Sequence, residues 1–412
     1  MTKNASIKTL VSMNNNAVTI PLGKLFVKTG GLFRALFSDT LSRMNIIVFV
    51  LVLMVIVLVH EFGHFIVAKK NGIRVDEFGF GFPPKLFGKK FGETEYTFNL
   101  LPLGGFVKIF GETPDDDSIS GEDSKRSLVN KPRHVQAAVM AAGITFNFLL
   151  AWVLFIAIFA IGAPYSDATP VPNGGVLENT KLTIMYVAPL SPAETAGLKM
   201  GDTIAGISSK TNSESVEKPT VLQVQTFVTK YAKEGVTVSY QRGKNSSLEK
   251  VSAIPKLDEK GERYLLGIQM DNVGTLKLPL MGAVIEGTKT MISMTQDVAV
   301  GLYDFFKTVF VGKAKFSDVS GPVGMVGLAG DAAKVGFVSV LILTALISVN
   351  LGLMNLLPFP ALDGGRIFFL LIESIKRSPI NPKIANRLNY AGFAFLLALM
   401  AIVTYHDVLK LF

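Results

Sequence analysis

Cysteine is absent from the 412-residue sequence. That excludes disulfides and thiolate metal ligands, so any metal must be held by His, Asp or Glu. Histidine is scarce, with four residues, His60, His64, His134 and His406. Charge is sparse too: 18% of residues are charged, against roughly 25% in soluble domains. Apolar residues make up 49%, and the mean hydropathy is positive, which points to a membrane protein. The formal charge of +9 would suit nucleic acid or an anionic membrane surface. Here the basic residues flank apolar runs, so they read as topology signals, and no nucleic-acid partner is expected. Residues 1–44 lack the short apolar core and small-residue cleavage site of a cleaved leader. They read as a tail or interfacial segment with no assigned function.

Four apolar runs, residues 45–68, 135–161, 337–357 and 389–405, approach the roughly 20 residues a bilayer requires. The loop after the first is rich in basic residues (Lys69, Lys70, Arg74, Lys125, Arg126, Lys131, Arg133), and the last loop carries Arg366, Lys376, Arg377, Lys383 and Arg387. Both loops are therefore expected to face the cytoplasm. Lys24, Lys28, Arg34 and Arg43 in the N-terminal tail pull the other way, but the first loop is richer. Both termini and residues 164–336 then lie outside. Within that outer segment, residues 176–272 alternate short β-like runs (TIMYV, DTIAGI, VTVSY, LLGIQM) with turns, the pattern of a compact β-rich domain. Residues 276–335 read as a helical linker. Met281, Val284, Ile285, Thr288, Met291 and Ile292 approximate helical spacing, which suits a helix on the membrane surface or one packed on the bundle.

The first apolar run contains HEFGH, residues 60–64. On a helix, i and i+4 share a face, so His60 and His64 can bind one zinc ion, with Glu61 beside them as general base. A zinc ion lowers the pKa of water to about 7, within reach of that base. Ionisable groups inside a membrane segment are costly and functional by default. If Lys69 marks the interface, a rise of 1.5 Å per residue puts His64 about 8 Å and His60 about 13 Å inside. A zinc site needs a third protein ligand. His134 reads as an interfacial residue, and His406 ends the last span on the opposite side. Asp363 in NLLPFPALDGG, residues 355–365, lies at the cytoplasmic end of the third run. Pro358 and Pro360 interrupt the helix there, and Gly364 and Gly365 permit a sharp turn. Taken alone, Asp363 also suits an ordinary helix cap.

HEFGH in the first span and NLLPFPALDGG at the third resemble the site-2 protease family of intramembrane metalloproteases. GITFN (143–147), LPLGGFV (101–107) and SGPVG (320–324) fit as well, over roughly residues 45–410. The likeness is strongest to the bacterial RseP/RasP-like branch with a single PDZ domain. The resemblance implies a polytopic α-helical membrane protein with about four transmembrane helices, a membrane-associated β-hairpin and an inserted extracytoplasmic PDZ domain. Its divisions would be a tail (1–44), spans one and two with the hairpin loop (45–163), the PDZ domain (176–272), the linker (276–335) and spans three and four (336–412). It implies one Zn2+ held by His60, His64 and Asp363, with Glu61 catalytic. Asn355, Pro360 and Asn147 match positions tied to substrate handling; for Asn147, interhelix hydrogen bonding is an equal alternative. The runs ETEYTFN and GFVKIFG would form the hairpin, and its segment Gly104, Gly105, Phe106 and Val107 would receive an extended substrate strand.

SPAETAGLKMGD, residues 191–202, carries the PDZ likeness, and Leu266, Gly267 and Ile268 resemble its carboxylate-binding loop. That domain would exclude bulky substrates by size or capture peptide C-termini. The implied activity is cleavage of transmembrane segments of single-pass proteins, such as an anti-sigma factor, or of leftover signal peptides. The setting would be a bacterial inner membrane, with the active site toward the cytoplasm. Two other readings are a non-catalytic membrane scaffold or chaperone with PDZ partners, and a metal transporter. The intact His60, Glu61, His64 and Asp363 set argues against the scaffold. A transporter needs ligands along a path, whereas these converge.

Overall fold

The computed structural model describes residues 43–409 apart from 114, 212, 244–246, 259–260, 313–320 and 379. Of the expected tail, residues 1–44, residues 1–42 lie outside the described residues, and Arg43 and Met44 already belong to the first helix. The apolar run after Arg43 has no proline and forms helix α1 (Arg43–Lys70), about 42 Å long at 1.5 Å per residue. In hydrocarbon a backbone must satisfy its own hydrogen bonds, which favours an unbroken helix. Lys69 and Lys70 end it, where a cation suits both the helix dipole and the interface. Ile47, Leu51 and Val55 face outward, while Ile56, His60, Gly63 and His64 are buried.

Strands β1 (Val75–Phe91) and β2 (Thr94–Ile109) follow. The two runs expected to pair with each other both belong to β2, and their partner is β1. Residues 77–80 lie beside 95–98 on one side and beside 105–108 on the other, while 87–91 return along 94–98. The alternating EFGFGF stretch in β1 supplies the strand that separates them. Rings of Phe65, Phe78, Phe80, Phe98 and Phe87 follow one another at 4.6–5.5 Å across this sheet.

A single turn, α2 (Asp116–Ser120), leads to helix α3 (Arg133–Ile161). Strands β3 (Ala163–Ser166) and β4 (Val176–Val187), the turn α4 (Pro192–Thr195), β5 (Asp202–Ser209), β6 (Ser215–Glu217), helix α5 (Val221–Lys230), β7 (Val236–Arg242), β8 (Glu249–Ala253), β9 (Lys256–Leu257), β10 (Tyr264–Leu265) and β11 (Ile268–Lys277) build the inserted unit. Its main sheet has the order β3-β11-β4-β5-β7-β8, with β6 on β5. This PDZ-like unit starts earlier and ends later than the alternating pattern indicated, because β3 pairs with the far half of β11. It also contains α5, which the strand pattern concealed. Thr220 caps α5, and Val224, Phe227 and Val228 pack on Ile184, Ile204 and Val238.

Asp202, in the GLKMGD turn, is fully buried and receives both Arg242 Nε and NH2 at 2.7 Å, plus the Lys199 N–H at 2.8 Å. The Asp202 carboxylate, by this hydrogen bonding, raises the Arg242 pKa above its ordinary value. Asp202→Ala removes the carboxylate from a partly buried guanidinium that also donates to Gly197 O at 2.8 Å, a change that costs about 3 kcal/mol in similar settings. Limited proteolysis of the full-length protein is expected to cut within 163–277 far sooner in this variant. Equal protection would show that the pair does not hold the unit together.

Helix α6 (Leu280–Phe310) packs against α3. The Leu278 N–H donates to Phe159 O at 3.0 Å, and Trp152 Nε1 donates to Thr288 Oγ1 at 2.8 Å. Helices α7 (Pro322–Val335), α8 (Phe337–Leu356), α9 (Asp363–Lys376) and α10 (Pro382–Leu409) complete the chain. The start of α7 is capped from another helix: the Gly324 N–H donates to Asp407 Oδ2 at 2.9 Å. Among the described residues, helices α1, α3, α8 and α10 are the four long and apolar enough to cross a bilayer. Helix α3 sits between α1 and α8 and also meets α6 and α9.

Candidate metal centre

Helix α1 brings His60 and His64 to one buried face, and the first turn of α9 carries Asp363 to meet them. His60 Nε2 lies 3.1 Å from His64 Nε2 and 3.1 Å from Asp363 Oδ2, and His64 Nε2 lies 3.4 Å from that oxygen. Four tetrahedral donors at 2.0–2.2 Å from a zinc ion stand about 3.3–3.6 Å apart. The three atoms therefore already have nearly the spacing a zinc ion imposes. His64 Nδ1 faces Val139 O at 2.8 Å. A carbonyl only accepts, so Nδ1 carries the proton and Nε2 presents a lone pair. Asp363 Oδ2 is buried and has no hydrogen-bond donor. Lone pairs converging in a buried site repel one another unless a cation lies between them, so the residues fit zinc. Among the described residues this is the one His/Asp/Glu group with such convergence.

Local sequence explains how three distant segments meet. Helix α8 ends at Leu356, and residues 357–362 form the turn predicted from the prolines. A side chain at Gly364 would stand 2.4 Å from Leu356 O, and one at Gly365 would stand 2.1 Å from Phe359 O. Only glycine lets α9 start against this turn. Ala361 sits at φ 76°, a strained conformation for a residue with a Cβ, and its N–H donates to Asn389 Oδ1 at 3.3 Å. Gly143 on α3 is the other close approach: a Cβ there would lie 2.3 Å from His64 Nε2 and 2.8 Å from His60 Nε2.

Glu61 turns toward the sheet, where its Oε2 accepts the Val107 N–H at 3.1 Å. Gly104 and Gly105 bring this segment against Val57 and Leu58 of α1. Residues 105–108 pair with β1 on one side; their other edge faces Glu61. Asn147 reaches His60 Nδ1 at 3.1 Å, on the ring nitrogen away from Asp363. The backbone of Pro360 packs on Gly392 of α10, and Asn355 occupies the last turn of α8; neither belongs to the converging triad. His134 lies on the first turn of α3 and His406 near the end of α10. In the PDZ-like unit, Leu266, Gly267 and Ile268 line a cavity of about 370 Å³ together with Tyr186, Val224 and Val228.

No local pattern marks Val139 and Gly143 as neighbours of the histidines, nor the ion pair joining Arg366 Nη1 to Glu112 Oε1 at 2.7 Å. That pair ties the end of β2 to α9. The position of Arg366, three residues after Asp363 on the same helix face, was a usable signal.

The description "Peptidase family M50" matches residues 48–399. A candidate zinc metalloprotease of Clostridium acetobutylicum is 34% identical over 368 residues, covering 89% of this chain and 98% of its own. One of Clostridium perfringens is 36% identical over 367 residues, with 89% and 99% covered. Zinc metalloprotease RasP of Shouchella clausii is 30% identical over 430 residues, again with 89% and 99% covered. With a family match across most of its length and relatives above 30% identity, the chain belongs to peptidase family M50, the site-2 protease family of zinc metalloproteases.

Proposed function

We propose that the protein is an intramembrane endopeptidase that cuts transmembrane segments of single-pass proteins, an anti-sigma factor or a remnant signal peptide among them. The observation that carries this reading is the position of His60, Glu61 and His64 inside an apolar helix long enough to cross a bilayer. The ligands are His60, His64 and Asp363. When bound, zinc polarises the scissile carbonyl and makes water acidic enough to lose a proton near neutral pH. Glu61 takes that proton and returns it to the leaving amine.

A transmembrane helix shields its own peptide bonds, so the scissile stretch must be extended first. The outer edge of residues 105–108, beside Glu61, suits strand addition by backbone hydrogen bonds. This fits recognition that is largely independent of substrate side chains. The basic loops favour a cytoplasmic position for the metal centre and an extracytoplasmic one for the PDZ-like unit. There the unit screens substrates by size, and its cavity suits an apolar peptide C-terminus.

Metal removal tests the reading. Purified protein in vesicles with a model single-pass substrate is expected to lose cleavage to background on chelation and to regain it with one equivalent of zinc. Undiminished cleavage after chelation, or no product with zinc restored, would count against it. A scaffold that only holds helices gives no product in any sample.

A further inference from the structure

One face of α3 serves both histidines. Val139, Gly143 and Asn147 recur every four residues and so share that face. The Val139 carbonyl supports His64 Nδ1, Gly143 leaves room for both rings, and Asn147 meets His60 Nδ1. We propose that Asn147 is a positioning residue that presents its amide oxygen to the His60 Nδ1–H, fixing the tautomer in which Nε2 is free to bind metal. The proposal rests on the reading of His60, His64 and Asp363 as zinc ligands.

Three observations carry it. First, Asn147 is fully buried within an apolar helix, where an amide without hydrogen bonds is costly. Second, a half-turn of an asparagine amide exchanges its oxygen and nitrogen. With nitrogen toward His60, the Asn147 oxygen is buried with no donor, and His60 Nδ1 must be an unprotonated acceptor. Its proton would then sit on Nε2, 3.1 Å from His64 Nε2 and from Asp363 Oδ2, where it would block the metal. With oxygen toward His60, the proton stays on Nδ1 and all three donor atoms face one another bare. Third, the level of Asn147 is pinned: Ser348 Oγ donates to its backbone carbonyl at 2.8 Å. Ser348 lies on α8, the helix that leads into the Asp363 turn. Ligand histidines commonly donate their second N–H to such an acceptor, and losing it typically weakens metal binding 10–100-fold. In this arrangement Asn147 acts through His60 and does not need to touch substrate.

The test uses full-length protein in detergent and measures zinc affinity by competition with a calibrated chelator. Asn147→Leu keeps the branched shape and heavy-atom count, with more bulk, and removes the acceptor; Asn147→Asp keeps an acceptor oxygen. The Leu variant is expected to bind zinc about 10–100-fold more weakly, and the Asp variant to stay within about threefold of the wild type. If the Leu variant does not fold, Asn147→Ala removes the acceptor without bulk and takes its place in the comparison. Wild-type affinity in the acceptor-less variant overturns the proposal, and so does equal loss in both variants, which would mark a packing role. Intact zinc binding with a raised KM in both would return Asn147 to substrate handling and also overturn it. Failure of the wild type to bind zinc would instead sink the ligand assignment on which the proposal rests.

Discussion

Glu61→Gln is expected to lower cleavage of a transmembrane substrate by about 10²–10⁴-fold, the usual contribution of a general acid–base group, while zinc content stays at one ion per chain. The substitution is nearly isosteric. The glutamine oxygen can still accept the Val107 N–H that Glu61 Oε2 accepts at 3.1 Å, so the strand edge stays where it is. Lost is the ability to take a proton and give it back. Zinc is held by other side chains, and His60 and His64 keep their partners on α3 and α9. Zinc analysis of the purified variant beside a gel-based cleavage assay checks both halves. Cleavage within a factor of ten of wild type would remove Glu61 from the proton-transfer role. Loss of zinc together with activity would make it a determinant of the site's structure.

Gly143→Ala is expected to disable the metal centre by steric means alone. The added methyl would stand 2.3 Å from His64 Nε2 and 2.7 Å from His60 Cε1, well inside van der Waals contact. The rings have no free path of retreat, since His64 Nδ1 is anchored to Val139 O at 2.8 Å and His60 Nδ1 meets Asn147 at 3.1 Å. Separating α3 from α1 would give up the close packing at Gly63, where a Cβ would be 2.6 Å from the Ala142 carbonyl. Zinc affinity should fall at least as far as for loss of a supporting hydrogen bond, about 100-fold or more, with no cleavage at ordinary zinc concentrations. The PDZ-like unit has its own core and is expected to stay folded, which limited proteolysis can report. A Gly143→Ala protein with full zinc and full activity would show that the two helices separate more readily than this packing implies.

Much of this protein was legible in order of residues. The four spans were visible as apolar runs; α1, α3 and α10 extend two to seven residues beyond expected ends, and α8 stops one residue short. HEFGH was readable because its chemistry sits within one helical turn. Asp363 was readable because prolines and paired glycines mark an interrupted helix at the expected membrane depth. The sheet was harder. Two β-like runs looked like partners, but an aromatic–glycine strand lies between them, and strand order depends on contacts across many residues. In the outer unit, α5 was hidden in a segment read for its strands, since ten residues of VLQVQTFVTK suit either form until packed. Asn147 stands in GITFN, which suits either substrate handling or interhelix hydrogen bonding; its approach to the far ring nitrogen of His60 at 3.1 Å is a contact that no local pattern announces.

Residue order is enough to read a membrane protein with a zinc-type HExxH pair inside a span, because these properties are local: run length, residue type and a four-residue spacing. What surrounds that pair depends on how the helices pack. The support of His64 is a main-chain carbonyl, which every residue possesses and no side chain announces. The space for the metal is the missing Cβ of Gly143, and the third ligand arrives from a position 299 residues beyond His64. Such features exist only once helices pack at a fixed depth and rotation, and that packing is a property of the whole bundle.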